Sequence, residues 1–253
     1  MRIATWNILH GRSPQDGKVD PQRLRDAVVE IDADVLGAQE VDRVQPRSGG
    51  RDLAAQLAEA LGAKDWRFVP TLVGTPGMKW RPADDADDQD VTPAYGVALF
   101  SRYPVTSWHV LRMPARPIRG FVVPAGSRWP VAVQDEPRVA LAARLRSPLG
   151  ELTVATTHLS FVPGQNLWQL RRVARWLRRL PGPQLLLGDL NLPVLPTGLR
   201  CGFTPLARTP THPADRPRRQ LDHILARGAL APPTSTASVR LPVSDHCALW
   251  AQW

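Results

Sequence analysis

RIATWNIL at residues 2–9, PQRLRDAVVEID at 21–32 and DVLGAQ at 34–39 are the segments that decide the fold. The first is a largely apolar run and reads as a buried strand. The second repeats Leu24, Ala27, Val28 and Ile31 at helical spacing, with Pro21 in a first-turn position. The third is a second short strand. DLAAQLAEAL at 52–61 follows as a helix, stopped by Gly62. A β-α-β-α opening places the chain in the α/β class.

The same pattern extends to the C-terminus. Strand-like runs stand at 66–72, 95–100, 105–111, 139–145, 152–157, 184–187, 221–226, 236–241 and 247–253. Residues 165–180 form a helix with Leu167, Leu170, Val173, Ala174 and Leu177 on one face, and its five arginines read as the solvated face. Two stretches read as long loops. Residues 74–93 carry five aspartates, without the spacing of a calcium loop, and 113–137 are rich in Pro and Gly. The aspartate-rich stretch is expected to be a solvated insertion.

At 253 residues and 27.9 kDa the chain can bury about 70% of its unfolded surface as one domain, 1–253. Apolar residues at 43% exclude a wholly disordered chain. There is no apolar run of about 18 residues, and Arg2 stands too early for a secretory h-region. Two cysteines, Cys201 and Cys247, do not make a disulfide framework. The expectation is a soluble cytoplasmic protein without a transmembrane segment, and a monomer. The net charge of +9 suggests a polyanionic partner, yet only three of the 32 basic residues are lysine (Lys18, Lys64, Lys79). An arginine bias of that kind also follows from GC-rich codon usage, so charge alone does not name a partner.

Six strings place polar residues where strands end: Trp6-Asn7, Gln39-Glu40, Thr157-His158, Gly188-Asp189-Leu190-Asn191, Leu221-Asp222-His223 and Ser244-Asp245-His246. The rim of strand ends is where α/β folds bind ligands. Asn7 shares a face with Ile3 and Thr5 by period two, and Glu40 ends its strand in the same sense. An amide oxygen with a carboxylate suits a hard cation such as Mg²⁺. Asp189 and Asn191, two apart, point the same way if extended, so one can handle a water while the other donates to a phosphoryl oxygen. Asp189 on its own reads equally as an Asx turn, and His158 as a buried structural histidine. Asp245 and His246 are adjacent, so a regular strand would split them; they belong in a turn. Asp222 is a plausible carboxylate partner for a histidine. There is no nucleophile elbow and no P-loop.

In this order, TWN, QE, YGVALFSR, THL, GDLN, LDHI and SDH resemble the endonuclease/exonuclease/phosphatase superfamily, over residues 5–246. The resemblance implies an α/β four-layer sandwich of two packed mixed β-sheets flanked by helices. It implies metal binding at Asn7 and Glu40 with Asp245, a water-orienting Asp189, and a phosphate-binding Asn191. It further implies His246 paired with Asp222, His158 on the phosphate, and Tyr95 in the segment lining the substrate groove. The general base falls at either the Asp189 or the His246 position. Leu9 stands where some members carry a carboxylate, which argues against a second metal on that strand. NILHG, QEVDR and RSGGRD resemble a bacterial branch of small hydrolases, in which His10 would fit near the pocket.

The expected function is a Mg²⁺-dependent phosphoester hydrolase, with Mn²⁺ as a substitute, that cleaves a phosphodiester by in-line attack of water. The expected partner is a phosphodiester substrate. DNA or RNA is suggested by the charge and by Arg216, Arg218 and Arg219. A phospholipid or another small phosphoester is suggested by Trp80 and Trp129 in the two loops. The competing non-enzymatic expectation is a binding module with a decayed site, which the intact strings disfavour.

Overall fold

The structure, a computed structural model, describes residues 1–122, 129, 131–193 and 201–253. Strands β1 (Arg2–Asn7), β2 (Val35–Arg43), β3 (Asp65–Gly74), β4 (Trp80–Pro82) and β5 (Ala94–Ser101) join one sheet with two strands from the C-terminal end. Strands β6 (Val105–Met113), β9 (Arg138–Ser147), β10 (Gly150–His158), β11 (Gln184–Asp189), β12 (Thr204–Pro205) and β13 (Asp222–Arg227) form the second sheet. With β14 (Ser235–Val239) and β15 (Ala248–Gln252), the first sheet runs β14-β15-β1-β2-β5-β3-β4, and the second runs β12-β13-β11-β10-β9-β6. A small ribbon pairs β7 (Arg119–Val122) with β8 (Val131–Gln134). Both large sheets are mixed.

Alternation along the strands explains the layers. Ile3, Val35, Val97 and Leu99 of the first sheet pack against Leu141, Val154, Leu185, Leu187 and Ile224 of the second, all buried. The opposite faces receive the helices. Helices α1 (Pro21–Ile31) and α2 (Leu53–Leu61) cover Ala4, Trp6, Leu36 and Phe100. Helix α3 (Gln165–Leu177) covers Ala142, Ala155, Leu186 and Leu225. The sheets come so close that a Cβ on Gly37 would stand 2.7 Å from Thr156 Oγ1. The expected four-layer sandwich is present.

Helix starts follow local chemistry. Asp20 accepts from the backbone N–H of Gln22 (2.9 Å) and Arg23 (3.3 Å) ahead of Pro21, and Asp52 accepts from Ala55 N–H at 3.0 Å. Gly62 closes α2 in the left-handed region, as its position predicted. The helix expected to reach residue 180 ends at Leu177, with Arg178, Arg179 and Leu180 turning off through backbone bonds to Ala174, Trp176 and Leu177.

Three further expectations need correction. The first strand stops at Asn7 rather than residue 9, because Leu9 and His10 take positive φ values of 46° and 47°. The second strand does not end at Gln39 but runs on to Arg43 through a bulge between Ala38 and Val41. The aspartate-rich stretch is not a loose solvated insertion. Arg81 forks onto Asp87 (2.6 and 2.8 Å), Arg67 reaches Asp88 at 2.8 Å, and Arg112 reaches Asp85 at 2.9 Å and also pairs with Asp88. Arg43 caps the carbonyls of Asp87 (2.8 Å) and Asp88 (3.1 Å).

The topology positions the site. Each sheet contains one parallel pair joined by a helical crossover: β1 with β2 through α1, and β10 with β11 through α3. At the carboxyl ends of these pairs Asn7 stands beside Gln39, and His158 beside Asp189. The two ends meet on one rim.

Candidate active site

Asp189 is the hub. It is the last residue of β11, placed by Gly188, whose φ of 139° and whose contact with β10 admit no side chain: a Cβ there would lie 1.9 Å from Thr157 O. Asp189 Oδ1 accepts from the backbone N–H of Asn191 at 3.0 Å, which is the Asx turn. Its other oxygen, Oδ2, faces inward. Asn7 Nδ2 donates to it at 3.2 Å, His158 Nε2 stands 3.6 Å away and His246 Nε2 3.8 Å away. One carboxylate thus closes the turn with Oδ1 and leaves Oδ2 facing the cleft. Burial raises its pKa to about 7, with the His246 charge opposing and the Asp222 charge assisting.

Asn191 is not extended. Its φ of 50° turns the chain back, and its Nδ2 donates to Leu159 O at 3.0 Å and faces His158 Nε2 at 3.4 Å. It still borders the cleft with Asp189, though through a turn rather than through strand periodicity.

His246 sits in the bend expected for the Ser-Asp-His string, before β15 begins. Ser244 fastens this bend to the end of β1: its hydroxyl donates to Asn7 O at 2.6 Å and accepts from His246 N–H at 3.1 Å. Trp6 Nε1 donates to His246 O at 3.2 Å. The ring's Nδ1 bonds Asp222 Oδ2 at 2.8 Å. Burial alone would lower the pKa of His246, but the Asp222 carboxylate and that hydrogen bond push it up to about 10. Asp222, fully buried, is held below the usual carboxylate range: burial opposes this, and the His246 charge overcomes it. Asp222 stands behind the cleft rather than in it, as a partner of His246.

His158 is buried, and burial together with the Arg138 and His246 charges holds its pKa well below the ordinary value, so the ring is neutral. Tyr95 is buried in the cleft wall, with the Arg47 guanidinium 5.5 Å from its ring centre. Burial raises the phenol's pKa well above the ordinary value.

Glu40 reaches the cleft by way of the bulge. Its φ is 56°, and the bulge re-aims a side chain that the pleat would send elsewhere. Beside it, Gln39 is buried between the sheets and donates to Thr156 Oγ1 at 2.9 Å. Glu40 Oε1 accepts from Asn7 Nδ2 at 3.1 Å, while Asn7 Oδ1 accepts from Leu9 N–H at 3.1 Å. The Asn7 amide therefore presents nitrogen, not oxygen, to the two carboxylates. Burial raises the pKa of Glu40, the bond from Asn7 opposes this, and the Asp245 charge adds to it. Burial and the Asp245 charge make Glu40 costly to ionise, and the carboxylates of this cleft, which no cysteine lines, suit a hard divalent cation. The compact three-residue groups of candidate ligands among the described residues are His212-Asp245-His246 and Asp189-Asp222-His246. In both, His246 Nδ1 is bonded to Asp222, which leaves its Nε2, His212 Nε2 and the carboxylates of Asp189 and Asp245 facing the cleft.

The cleft has a volume of about 650 Å³ and collects eight of the nine expected residues, Asp222 being the one behind it. It also holds residues beyond those nine. Arg138 starts β9, beside Glu136 at 3.7 Å. His212 stacks obliquely on His246 at 4.7 Å between ring centres, with Nε2 3.9 Å from Asp245. Arg219 and Phe161 complete the wall. A histidine two residues ahead of Ala214, in a segment leading to Asp222, is a weak signal; Arg138 carries none. Trp80 and Trp129 lie outside the cleft, and Trp129 is 78% exposed. His10 does not line the cleft; burial and the nearby Arg47 and Arg12 charges lower its pKa to about 3. No helix among the described residues is long and apolar enough to cross a membrane.

The Endonuclease/Exonuclease/phosphatase family model matches residues 4–246, and the chain belongs to that family, whose members hydrolyse phosphoester bonds. Among solved structures, an endonuclease/exonuclease/phosphatase from Beutenbergia cavernae is 23% identical, with a TM-score of 0.68, covering 99% of this chain and 70% of its own. Sphingomyelinase C from Streptomyces griseocarneus is 15% identical, with a TM-score of 0.63, covering 99% and 98%. The mannosyl-6-phosphatase Bt3783 of Bacteroides thetaiotaomicron is 16% identical, with a TM-score of 0.61, covering 100% and 98%. These likenesses establish the fold. No curated protein matches the chain.

Proposed function

We propose that this member of the Endonuclease/Exonuclease/phosphatase family is a divalent-metal-dependent phosphodiesterase, with Mg²⁺ as its ion and Mn²⁺ able to replace it. The observation that carries the reading is the convergence on Asp189 Oδ2. An amide and two imidazoles face one buried carboxylate oxygen, and one of those imidazoles is backed by a second buried carboxylate at 2.8 Å.

That geometry divides the labour. His246 lies between Asp222 and Asp189, so the ring keeps its second proton and donates through Nε2, either to a phosphoryl oxygen or to the leaving oxygen. Asp189 then serves as the acceptor: Asn191 N–H fixes one oxygen, and the other can orient a water and take its proton. Asn191 and His158 sit where they can hold phosphoryl oxygens as charge develops there. Arg138 adds a fixed positive charge to the same wall. Glu40 and Asp245, with Asn7 after its amide turns over, would hold the metal. When bound, the ion supplies Lewis-acid stabilisation of the phosphoryl charge. The diester preference rests on room: the cleft adjoins a second cavity of about 590 Å³ at Arg219, which leaves space for a substituent on that side of the phosphorus.

The test is a substrate panel with Mg²⁺, Mn²⁺ or chelator: bis-p-nitrophenyl phosphate, p-nitrophenyl phosphate, single- and double-stranded DNA, RNA and sphingomyelin. The expected outcome is metal-dependent turnover of at least one diester, faster than the monoester. Calorimetry should show weakened Mg²⁺ binding in Glu40→Gln. Turnover that persists in chelator, or no turnover of any ester with either metal, overturns the reading.

A further inference from the structure

The segment between β12 and β13 carries Arg216, Arg218 and Arg219 in a short turn. All three are exposed, and among the described residues none has an ion pair or a side-chain hydrogen bond. They line the 590 Å³ cavity with Pro213 and a single acid, Asp215. Arg219 also lines the catalytic cleft, so the two spaces share a wall.

The turn is held in place by its backbone. Arg218 and Arg219 N–H both donate to His212 O at 3.0 Å, and His212 N–H returns a bond to Arg219 O at 3.0 Å. The base of the turn is bound to the bend that carries the catalytic histidine: Ala214 N–H donates to Asp245 O at 2.7 Å, and Cys247 N–H to Thr211 O at 2.8 Å. The backbone bearing the three guanidiniums is therefore kept in register with His246. In the 74–93 loop the arginines meet aspartates. Here three face a single acid, Asp215, and pair with none among the described residues.

We infer that this turn is a second anion subsite, which receives a phosphate of the substrate other than the one cleaved. The inference rests on the phosphoester-hydrolase reading above and deepens it: the preferred substrate carries at least two phosphates, separated so that one reaches Asp189 while the other meets Arg216 and Arg218. Arginine suits the task, since its planar fork binds phosphate oxygens in pairs. A neighbouring phosphate of a nucleic-acid strand and the second phosphate of a small bisphosphate share this chemistry.

The experiment compares wild type with Arg216→Ala/Arg218→Ala on matched substrates. One arm sets the thymidine dinucleotide TpT against its 5′-phosphorylated form pTpT; the other sets glucose 6-phosphate against glucose 1,6-bisphosphate. Bis-p-nitrophenyl phosphate is the reference with a single phosphate. In wild type, the second phosphate should lower KM by about tenfold or more in one arm, the scale of one charge-assisted hydrogen bond. The arm that responds identifies the source. The double variant should lose that advantage, with kcat and the reference substrate unchanged. A KM indifferent to the second phosphate in both arms, or a variant equally impaired on the reference, overturns the subsite. If no ester is turned over, the hydrolase reading fails separately. Calorimetry with inorganic pyrophosphate then decides the subsite by itself: binding lost in the variant supports it, and no binding to wild type overturns it.

Discussion

The loop after β4 and the cleft both crowd carboxylates against cationic groups, but they balance them differently. In the loop, Asp85, Asp87 and Asp88 meet Arg67, Arg81 and Arg112, and Arg43 holds the backbone between them. The bond from Arg81 lowers the pKa of Asp87, burial slightly opposing it, so the charged state is the relaxed one. In the cleft, Glu40 and Asp189 are raised by burial, and His246 is the one imidazole paired tightly to a carboxylate. Matched charge makes a clasp that holds an insertion to the sheet. Unmatched buried charge is held at a cost by the surrounding fold, which is the usual condition of a catalytic site.

The sharpest way to break this contrast is Asp189→Asn. Turnover should fall by about 10²–10⁴, the loss typical of a positioned acid or base. Stability should move the opposite way. The folded pKa of Asp189, about 7, lies above its ordinary value of 3.8, so the folded state binds the extra proton between these limits. Wild type therefore loses stability as pH rises from about 4 to about 7. Without added metal, Asp189→Asn should melt higher than wild type at pH 8, and the gain should shrink toward pH 4. Asp189→Asn melting lower at pH 8, by calorimetry or circular dichroism, would remove the cleft from the strained side of the comparison.

A second test asks whether the cleft acts as one unit. His246→Ala should cost about 10²-fold or more in kcat. Adding Asp222→Asn should change little further, because residues that act through one another are non-additive. Multiplicative losses would show that Asp222 serves the fold and not His246.

The smallest effect on turnover belongs to the loop. The side chain of Asp88 is buried and holds both Arg67 and Arg112. Asp88→Asn should cost about 1–3 kcal/mol, the scale for a charged bond whose cationic partners stay partly solvated. For a chain of this size that lowers Tm by several degrees, while kcat on the best substrate stays as in wild type. A tenfold loss of kcat at unchanged Tm would make the loop part of the site and erase the distinction.

The α/β class, the three long helices and most strands were legible in the sequence because hydrophobic periodicity is local: each element carries its own record of which face is buried. The residues of the candidate site were legible for a related reason. Polar residues at the ends of apolar strands have few structural excuses, and Asn7, His158, Asp189 and Asp222 all stand at such ends. Glu40 was found for the wrong geometric reason, since it sits in a bulge within a longer strand, and a single positive φ leaves no periodic trace. Asn191 likewise arrives through a turn. The aspartates of the 74–93 stretch could not be told from a solvated tail by composition. Their arginines come from β2, β3, β4 and β6, up to 45 residues away. Nor did the sequence place Arg138, His212 and Arg219 on one cleft. Which charges neutralise each other, and which are left facing a cavity, depends on distances between elements remote along the chain. Those distances are set only when the two sheets close on each other.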